Sequence, residues 1–189
     1  MNIVVVSGSN VGEKTSIAAN KVMNVLKEKY SEHNSVNLLD LKELTLEFSD
    51  GRNYLDYTGD TKYVTQTLMN ADIIFFGTPI FQASIPASLK NLFDLLPQKA
   101  FEYKTCSIVT TAGSNKHYLI PEQQLKPILG YMKANIVPNY VYILDTDFDN
   151  GEIINDDIHF RIDKLVEDTI VLAKAYKKIW AQQEDSYGF

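Results

Sequence analysis

Short apolar runs alternate with amphipathic stretches along the chain, and this alternation constrains the fold more than any other feature of the sequence. Apolar runs of this length are typical of buried strands, whereas apolar residues at helical spacing are typical of helices packed on a sheet. The predicted strands are Asn2–Val6, Val36–Leu39, Ile73–Phe76, Thr105–Thr110 and Tyr140–Leu144, and the predicted helices lie near Lys14–Tyr30, Lys62–Asn70, Pro86–Leu96, Gln123–Ala134 and Ile158–Gln183. Strands that alternate with helices form βαβ units, so we predict an α/β fold.

Composition and charge narrow the classes of protein to which this chain can belong. Its 189 residues, 45% of them hydrophobic, can bury one substantial core, so we expect a single domain over residues 1–189. A net charge of −6 and a pI near 5.0 disfavour a nucleic-acid partner, which requires a basic surface. No segment approaches the roughly 18 apolar residues of a membrane span, and the early run Ile3–Val6 is too short for a signal segment. The single cysteine, Cys106, excludes an intramolecular disulfide, which together with the rest favours a cytoplasmic protein.

The turn after the first strand, Ser7–Ser16, has the composition of a phosphate-binding loop. Its small residues expose backbone amides, and it leads into the N-terminus of a helix, which attracts anions. A P-loop is disfavoured because Glu13 precedes Lys14 and would repel a triphosphate. The dinucleotide motif G-x-G-x-x-G is also absent, because Gly8 and Gly12 are four residues apart with no glycine between them at the required place.

A monophosphate suits this loop better. Ser9, Thr15 and Ser16 can donate hydroxyl hydrogen bonds to it, while the helix amides and Lys14 supply positive potential. The alternative is that the hydroxyls only cap the helix and that no ligand binds. The residues by themselves leave both interpretations open.

Two further loops follow predicted strands at the same edge of the sheet. Thr78-Pro79 forces an extended turn, which leaves backbone groups of Ile80, Phe81 and Gln82 facing outward. Residues 110–114 follow the fourth strand in the same way. Ligands of open parallel sheets bind at the carboxyl ends of the strands, so we expect the three loops to converge on one small ligand.

The motifs in these segments resemble those of the NADPH-dependent FMN reductases, particularly the reductases that supply reduced flavin to sulfonate monooxygenases. The resemblance covers most of the chain and rests on Thr78-Pro79-Ile80-Phe81, Leu89-Lys90-x-x-x-Asp94-Leu95-Leu96-Pro97, Thr110-Thr111-Ala112-Gly113, His117 and Leu125-Lys126-Pro127-Ile128-Leu129. The family commonly carries Tyr at Phe81, Asn or Lys at Gln82, Gly at Ala87 and Arg near Asn10. The last of these departures predicts weaker phosphate binding.

The resemblance implies a flavodoxin-like three-layer sandwich, with helices on both faces of a five-stranded parallel sheet in the order 2-1-3-4-5. It also implies hydride transfer from NADPH, or NADH, to FMN. The protein would orient the nicotinamide against the flavin, so neither a catalytic side chain nor a metal is expected. The implied cofactor-binding residues are Ser9, Asn10, Lys14, Thr15 and Ser16 around the phosphate, and Pro79, Ile80, Phe81, Gln82, Thr111, Ala112, Gly113 and Ser114 around the ring.

Two of these residues receive more specific expectations. Phe81 can pack on the flavin ring or, as readily, against a neighbouring helix. We expect Gly113 to remain small, because a side chain there would meet the ring or block a positive φ.

The resemblance further implies a homodimer or homotetramer built by the helices Pro86–Leu96 and Gln123–Ala134, and a flavin-dependent monooxygenase as a partner. The apolar stripes of these helices can equally be core; they consist of Leu89, Leu92, Phe93 and Leu96, and of Leu125, Ile128, Leu129 and Met132. Three other functions remain open: an FMN-containing quinone or azo-dye reductase, a flavodoxin-like electron carrier, and a non-enzymatic FMN-binding regulator.

Several other residues attract a functional interpretation that we do not favour. Cys106 lies in the middle of a strand with no basic motif nearby, which is typical of a core thiol. A lone histidine such as His117 is more often a packing residue than a catalyst. The acidic segment Asp145–Gly151 resembles the start of an EF-hand, but its glycine comes one place late, so we interpret it as a solvated turn. By contrast, the length of the irregular connection Leu41–Asp60 favours a functional role.

Overall fold

The centre of the molecule is a parallel sheet. The computed structural model describes residues 1–187 and the side chains of residues 1–183. The strands are β1 (Asn2–Ser7), β2 (Ser35–Asp40), β3 (Ile73–Pro79), β4 (Thr105–Ala112), β5 (Asn135–Ile136) and β6 (Val141–Leu144). They follow the order β2-β1-β3-β4, and both β5 and β6 pair with the free side of β4. The predicted order 2-1-3-4-5 is therefore confirmed, with the last strand in two pieces.

The break in the last strand lies at residues 137–140. β5 pairs with the start of β4, whereas β6 pairs with its end. Pro138 lies between the two pieces and has no N–H to donate to the ladder, so the pairing is interrupted there. The sequence predicted only the second piece, because two residues are too few to show a strand pattern.

Helices cover both faces of the sheet. Within residues 1–187 the α-helices are α1 (Lys14–Tyr30), α2 (Gly59–Met69), α3 (Ala87–Asp94), α4 (Lys126–Tyr131) and α5 (Asp156–Tyr187). Alternate residues of each strand enter two separate apolar clusters, one with α1 and α5 and one with α2, α3 and α4. In β3, Ile73 and Phe75 belong to the first cluster, and Ile74 and Phe76 to the second. The predicted three-layer α/β architecture is confirmed.

The apolar stripes of α3 and α4 lie in the core of the monomer. Leu89 and Leu92 are fully buried in α3, as is Leu129 in α4. Both stripes join the cluster on the α2, α3 and α4 face. Their burial satisfies the hydrophobic pattern that the sequence shows, without requiring a second copy of the chain.

The helix predicted over Gln123–Ala134 is shorter and less regular than expected. A π-helical turn at Pro121–Leu125 leads into α4, which ends at Tyr131. Pro121 and Pro127 both lack an N–H, so regular i→i−4 hydrogen bonds cannot form throughout this segment.

The long connection between β2 and α2 packs against α3. The side chain of Asn91 accepts a hydrogen bond from the Ser49 amide (2.9 Å) and donates one to the Glu47 carbonyl (2.9 Å). Tyr57, near the end of the connection, is almost completely buried. These contacts give the connection a fixed path, and its predicted functional role stays a prediction.

A small hairpin lies outside the main sheet. It consists of β7 (Phe148–Asp149) and β8 (Glu152–Ile153), which pair in antiparallel fashion between β6 and α5. Short 3-10 turns occur at Ser31–His33, Tyr54–Asp56, Asn115–His117 and Asp145–Asp147. No helix in the described part of the chain is both long enough and apolar enough to cross a membrane.

Candidate functional site

A cleft of about 720 Å³ opens at the carboxyl ends of β1, β3 and β4. This is the edge at which open parallel sheets bind ligands. The three loops predicted to converge do converge here, and the β7–β8 hairpin adds a fourth wall. The lining residues are Val11–Thr15, Ile17, Pro79–Phe81, Thr111–Gly113, Asp145 and Phe148–Gly151.

Close contact between β1 and β3 places the first loop (residues 7–16) over the second (residues 78–82). The Gly8 amide donates to the Gly77 carbonyl at 2.8 Å, which continues the pairing beyond the end of β1. A Cβ at Gly8 would lie 2.8 Å from that carbonyl oxygen and 3.2 Å from both terminal methyl groups of Leu89. A Cβ at Gly77 would lie 2.9 Å from the Val6 carbonyl oxygen. Glycine is therefore required at both positions, because the backbones approach too closely for a side chain.

The first loop delivers the N-terminus of α1 to the cleft. The Ser9 hydroxyl donates to the Val11 carbonyl (2.6 Å), and Gly12 adopts a positive φ of +75°, so the chain turns sharply before the helix. No side chain caps the helix at Glu13. The first amides of α1 thus have no side-chain acceptor, which is the arrangement that binds anions at helix N-termini.

Two of the three hydroxyls predicted to bind phosphate, those of Thr15 and Ser16, have partners in the sheet. Thr15 Oγ1 lies 2.9 Å from Thr111 Oγ1, and both hydroxyls are buried between α1 and β4. Ser16 Oγ donates to the Asp40 carboxylate at 2.5 Å and lies 3.2 Å from Ser7 Oγ. Ser16 is not among the lining residues, whereas Thr15 is. Both side chains tie the loop to the sheet, and a contact with phosphate stays a prediction.

Lys14 connects the first loop to the hairpin wall. Its Nζ lies 3.0 Å from Asp145 Oδ1 and 5.7 Å from the centre of the Phe148 ring. Among the described residues that line the cleft, Lys14 is the only cation, whereas three acidic residues, Glu13, Asp145 and Asp149, line the same cleft. The electrostatic attraction for an anion therefore depends on the helix amides and on this lysine.

The second loop makes a tight turn at Gln82 and Ala83. Both residues have positive φ values, +50° and +57°. Such backbone angles are strained in residues that have a Cβ. Phe81 and Ser84 close the turn with two backbone hydrogen bonds of 2.9 and 3.0 Å. Gln124 holds the turn from outside, since it accepts from Ser84 Oγ (2.6 Å) and donates to the Ala83 carbonyl (3.2 Å).

The turn leaves Phe81 at the rim of the cleft, with 38% of its surface exposed. The Ile80 amide donates to the Thr111 carbonyl at 3.1 Å, which joins the second loop to the third. Gln82 is exposed and lies outside the lining, as do Ser9, Asn10 and Ser114 among the predicted site residues.

Two tyrosines, one just before β6 and one within it, hold the third loop (residues 110–114). The Tyr142 hydroxyl donates to the Ser114 carbonyl (2.7 Å), and the Tyr140 hydroxyl donates to the Tyr118 carbonyl (2.6 Å). Burial raises the pKa of both tyrosines, so both hydroxyls stay protonated as donors at neutral pH.

Gly113 lines the cleft but does not have a positive φ, so the expectation that a positive φ requires glycine there is wrong. A Cβ at Gly113 would have one neighbour within 4 Å, Asp145 Oδ2 at 3.6 Å.

The hairpin wall is the part of the site that the sequence analysis missed. Its turn residues Asn150 and Gly151 have φ values of +46° and +82°, which suit the two-residue Asn-Gly turn of a β-hairpin. The segment is an exposed turn that leads to α5, as interpreted, but it also forms a hairpin that lines the cleft. The hairpin was not predicted, although the Asn-Gly pair was the available signal. Asp147 accepts hydrogen bonds from the Leu144 amide (2.8 Å) and from Asn155 (2.7 Å), which fixes the base of the hairpin.

Two other residues are placed by the structure away from the cleft lining. Cys106 is fully buried in β4, and burial raises the pKa of its thiol, as expected of a core cysteine. His117 ends the 3-10 turn that follows the third loop. Within residues 1–187 no group of three or more His, Cys, Asp or Glu side chains is arranged to hold a metal ion.

The fold and the position of the cleft define a flavodoxin-like α/β protein. A flavodoxin from Bacillus cereus has a similar structure, with a TM-score of 0.62, 14% identity, and coverage of 90% of this chain and 97% of the flavodoxin. The apo form of an NADH:FMN oxidoreductase (EMOB) is similar at a TM-score of 0.75, 23% identity, and coverage of 92% and 89% of the two chains. At these identities the similarities show the fold.

The sequence comparisons give the family. Residues 1–149 match the family model of the NADPH-dependent FMN reductases. An NAD(P)H-dependent FAD/FMN reductase of Geobacillus thermodenitrificans is 36% identical over 171 residues, which cover 90% of this chain and 92% of that protein. An NADH-dependent FMN reductase (SfnF) of Pseudomonas putida is 24% identical over 168 residues, or 88% and 90% of the two chains. The chain belongs to the NADPH-dependent FMN reductase family and is an oxidoreductase, which confirms the resemblance seen in its motifs.

Proposed function

We propose that the protein transfers a hydride from NADPH or NADH to FMN in the cleft at the carboxyl edge of the sheet. The observation that carries this proposal is the convergence of three backbone-rich loops at the uncapped N-terminus of α1, in a chain of this family. The volume of the cleft, about 720 Å³, lies within the usual range for cofactor sites.

The residues at one end of the cleft suit a phosphate. The amides of Gly12–Thr15 and the Nζ of Lys14 provide the donors and the positive charge, with Ser9 and Asn10 beside them in the same loop. We assign Thr15 and Ser16 to this site chiefly as residues that hold the loop in place, because their hydroxyls form hydrogen bonds with Thr111 and Asp40. The positions of these donors support a terminal phosphate, as in FMN.

The other end of the cleft suits a planar ring with polar edges. We assign the backbone of Pro79–Gln82 and of Thr111–Ser114 to the polar edges of the ring; of these segments, residues 79–81 and 111–113 line the cleft, and Phe81 provides an apolar surface at the rim. When bound, FMN supplies the hydride acceptor. The part of the protein is to orient the reactants and exclude water, so the reaction needs no catalytic acid or base.

Steady-state oxidation of NADPH and of NADH, with and without added FMN, tests this proposal. We expect turnover that requires added FMN and saturates with it. A protein that retains bound flavin and ignores added FMN would instead be a quinone or azo-dye reductase. Flavin binding without any nicotinamide oxidation would favour an electron carrier or a regulator.

We further propose that the protein acts as a homodimer or homotetramer. A surface groove of about 520 Å³ runs between α3 and α4, and it is lined by Phe93, Ile128 and Tyr131 together with the charged side chains of Lys90 and Asp94 in α3. Tyr131 is 65% exposed there, which leaves aromatic surface for a second copy. Light scattering tests this assembly, and a monomeric active enzyme would contradict it.

The resemblance to reductases of sulfonate systems supports release of reduced FMN to a flavin-dependent monooxygenase, and we place the protein in the cytoplasm as a single domain over residues 1–189. A coupled assay with such a monooxygenase tests the transfer. We expect oxygenation by the monooxygenase to stop when the reductase is removed, even though NADPH is still supplied.

A further inference from the structure

The Lys14–Asp145 ion pair lies inside the proposed flavin site. Lys14 belongs to the first turn of α1, where an anion would bind, and its Nζ lies 3.0 Å from Asp145 Oδ1. The other oxygen, Asp145 Oδ2, faces the third loop, 3.6 Å from the position that a Cβ of Gly113 would take. The carboxylate therefore lies between the proposed phosphate loop and a loop proposed to hold the ring.

The position of Asp145 is fixed by the fold. Asp145 begins the 3-10 turn at the end of β6, and the third residue of that turn, Asp147, accepts hydrogen bonds from the Leu144 amide and from Asn155. The backbone that carries Asp145 is thus tied to both β6 and the segment before α5. Its carboxylate is held beside Lys14 even though both side chains are about half exposed.

Competition for Lys14 follows from this arrangement. A lysine that approaches a phosphate has to give up part of its interaction with Asp145, and the carboxylate also repels the phosphate directly. Glu13 and Asp149 line the same cleft, and no second cation among the described lining residues offsets them.

We propose that Asp145 is a specificity-determining residue that competes with the flavin phosphate for Lys14 and so weakens the binding of FMN without weakening that of riboflavin. The inference rests on the proposed function and deepens it. Its consequence is that the protein holds FMN loosely enough to exchange it, which suits a flavin that is a substrate.

The test is the substitution Asp145→Asn, with dissociation constants for FMN and for riboflavin measured by quenching of flavin fluorescence at low ionic strength. We expect FMN to bind about tenfold more tightly, because a charge within several ångströms of a phosphate dianion is removed. Riboflavin, which lacks the phosphate, should change by less than about twofold. The gain for FMN should shrink in high salt, since exposed charges are screened.

Asp163→Asn is the matched control. It removes one carboxylate from an ion pair of the same length, Lys29 Nζ to Asp163 Oδ2 at 3.0 Å, with similar exposure and outside the cleft. The change in net charge is identical, so it should leave both flavin affinities unaltered. Asp145→Ser gives a second measurement if the asparagine variant folds poorly. In a Lys14→Gln background the gain from Asp145→Asn should be smaller.

The outcomes separate the inference from the function that it extends. Wild-type protein that binds FMN and oxidises NADPH, with an Asp145→Asn variant whose FMN affinity is unchanged or lower, would overturn the inference and leave the function standing. Equal gains for FMN and riboflavin would overturn it as well. Wild-type protein that binds no flavin would overturn both.

Discussion

Single atoms decide whether the cleft can form at all. The absence of a Cβ at Gly8 allows β1 to continue towards the Gly77 carbonyl and to place the first loop over the second. A buried pair of hydroxyls, Thr15 and Thr111, then joins that loop to β4. These contacts lie beneath the cleft and hold the loops that line it, so small changes in volume or polarity there should affect both stability and flavin use.

Gly8→Ala should destabilise the protein and impair flavin use. The new methyl group would lie 2.8 Å from a backbone oxygen, which cannot move without disturbing β3. We expect a loss of about 1–3 kcal/mol in the free energy of unfolding, the usual cost of overpacking, and a higher KM for FMN. Urea unfolding and steady-state kinetics measure the two effects. Gly130→Ala is the control, because a Cβ at Gly130 in α4 would make only an ordinary contact, with Ile136 Cδ1 at 4.0 Å; equal losses for both variants would contradict the argument.

Thr15→Val should lower stability because it leaves the hydroxyl of Thr111 buried without its partner. The expected cost is about 1–3 kcal/mol in the free energy of unfolding. The double variant Thr15→Val, Thr111→Val should lose less than the sum of the two single variants, since no unpaired hydroxyl remains. Additive losses in urea unfolding would show that the two hydroxyls act independently. A loss of affinity for FMN but not for riboflavin in Thr15→Val would add a direct role at the phosphate.

Among the elements, the loops carry the backbone strain: in the described part of the chain, every non-glycine residue with a positive φ lies outside the helices and strands. The turn at Gln82 and Ala83 places two non-glycine residues at positive φ. Gln124 in the π-helical turn holds it with two hydrogen bonds, one accepted and one donated. Strain of this kind persists only where neighbouring contacts enforce it. The second loop is therefore shaped by the segment before α4 as well as by its own sequence.

Ala83→Gly should raise the free energy of unfolding, by up to about 1 kcal/mol, because glycine adopts a positive φ without steric cost. Ala181→Gly, at an exposed position within α5, should lower it by about 0.5–1 kcal/mol, the usual cost of glycine in a helix. Thermal or urea unfolding gives both values. A destabilised Ala83→Gly protein would show that the turn is not strained.

The elements also show where sequence reasoning succeeds. The β-strands were predictable because runs such as Ile73–Phe76 are continuous and apolar, and the loops of the site follow directly from where those strands end. The partner of Ser16 was not predictable, because its contact with Asp40 depends on the register between β1 and β2. The hairpin wall was missed because its strands are two residues long and show no alternation, although Asn150-Gly151 marked its turn.

At the scale of the whole molecule, the sheet separates two apolar clusters and buries polar groups within them. Cys106 lies in the cluster beside α2, α3 and α4, which also contains Tyr142 of β6 and Tyr140 just before it. Burial raises the pKa of all three groups above their ordinary values, 9.0 for the thiol and 10.0 for the phenols. The free energy of unfolding therefore depends on pH in the alkaline range.

The free energy of unfolding should fall as the pH rises above about 9. Because the three pKa values are higher in the folded chain, the folded state holds protons that the unfolded state releases, and this contribution is complete below pH 9 and lost above it. Lys104, whose pKa burial lowers, acts in the opposite direction and offsets part of the decline. In urea unfolding between pH 7 and 11, the free energy of unfolding should decline less steeply with pH for Cys106→Ala than for the wild type. FMN reduction by this variant should be intact at neutral pH. Parallel declines would exclude a contribution from the thiol.

The interrupted last strand limits how copies of this chain can meet. A sheet adds a strand from another molecule where a continuous row of amides and carbonyls faces outward. At this edge the row is divided into pieces of two and four residues, with Pro138 between them contributing no amide. Growth of the sheet across that edge, whether into a dimer or into an aggregate, is thereby disfavoured, and self-association on that side of the molecule is directed to its helices.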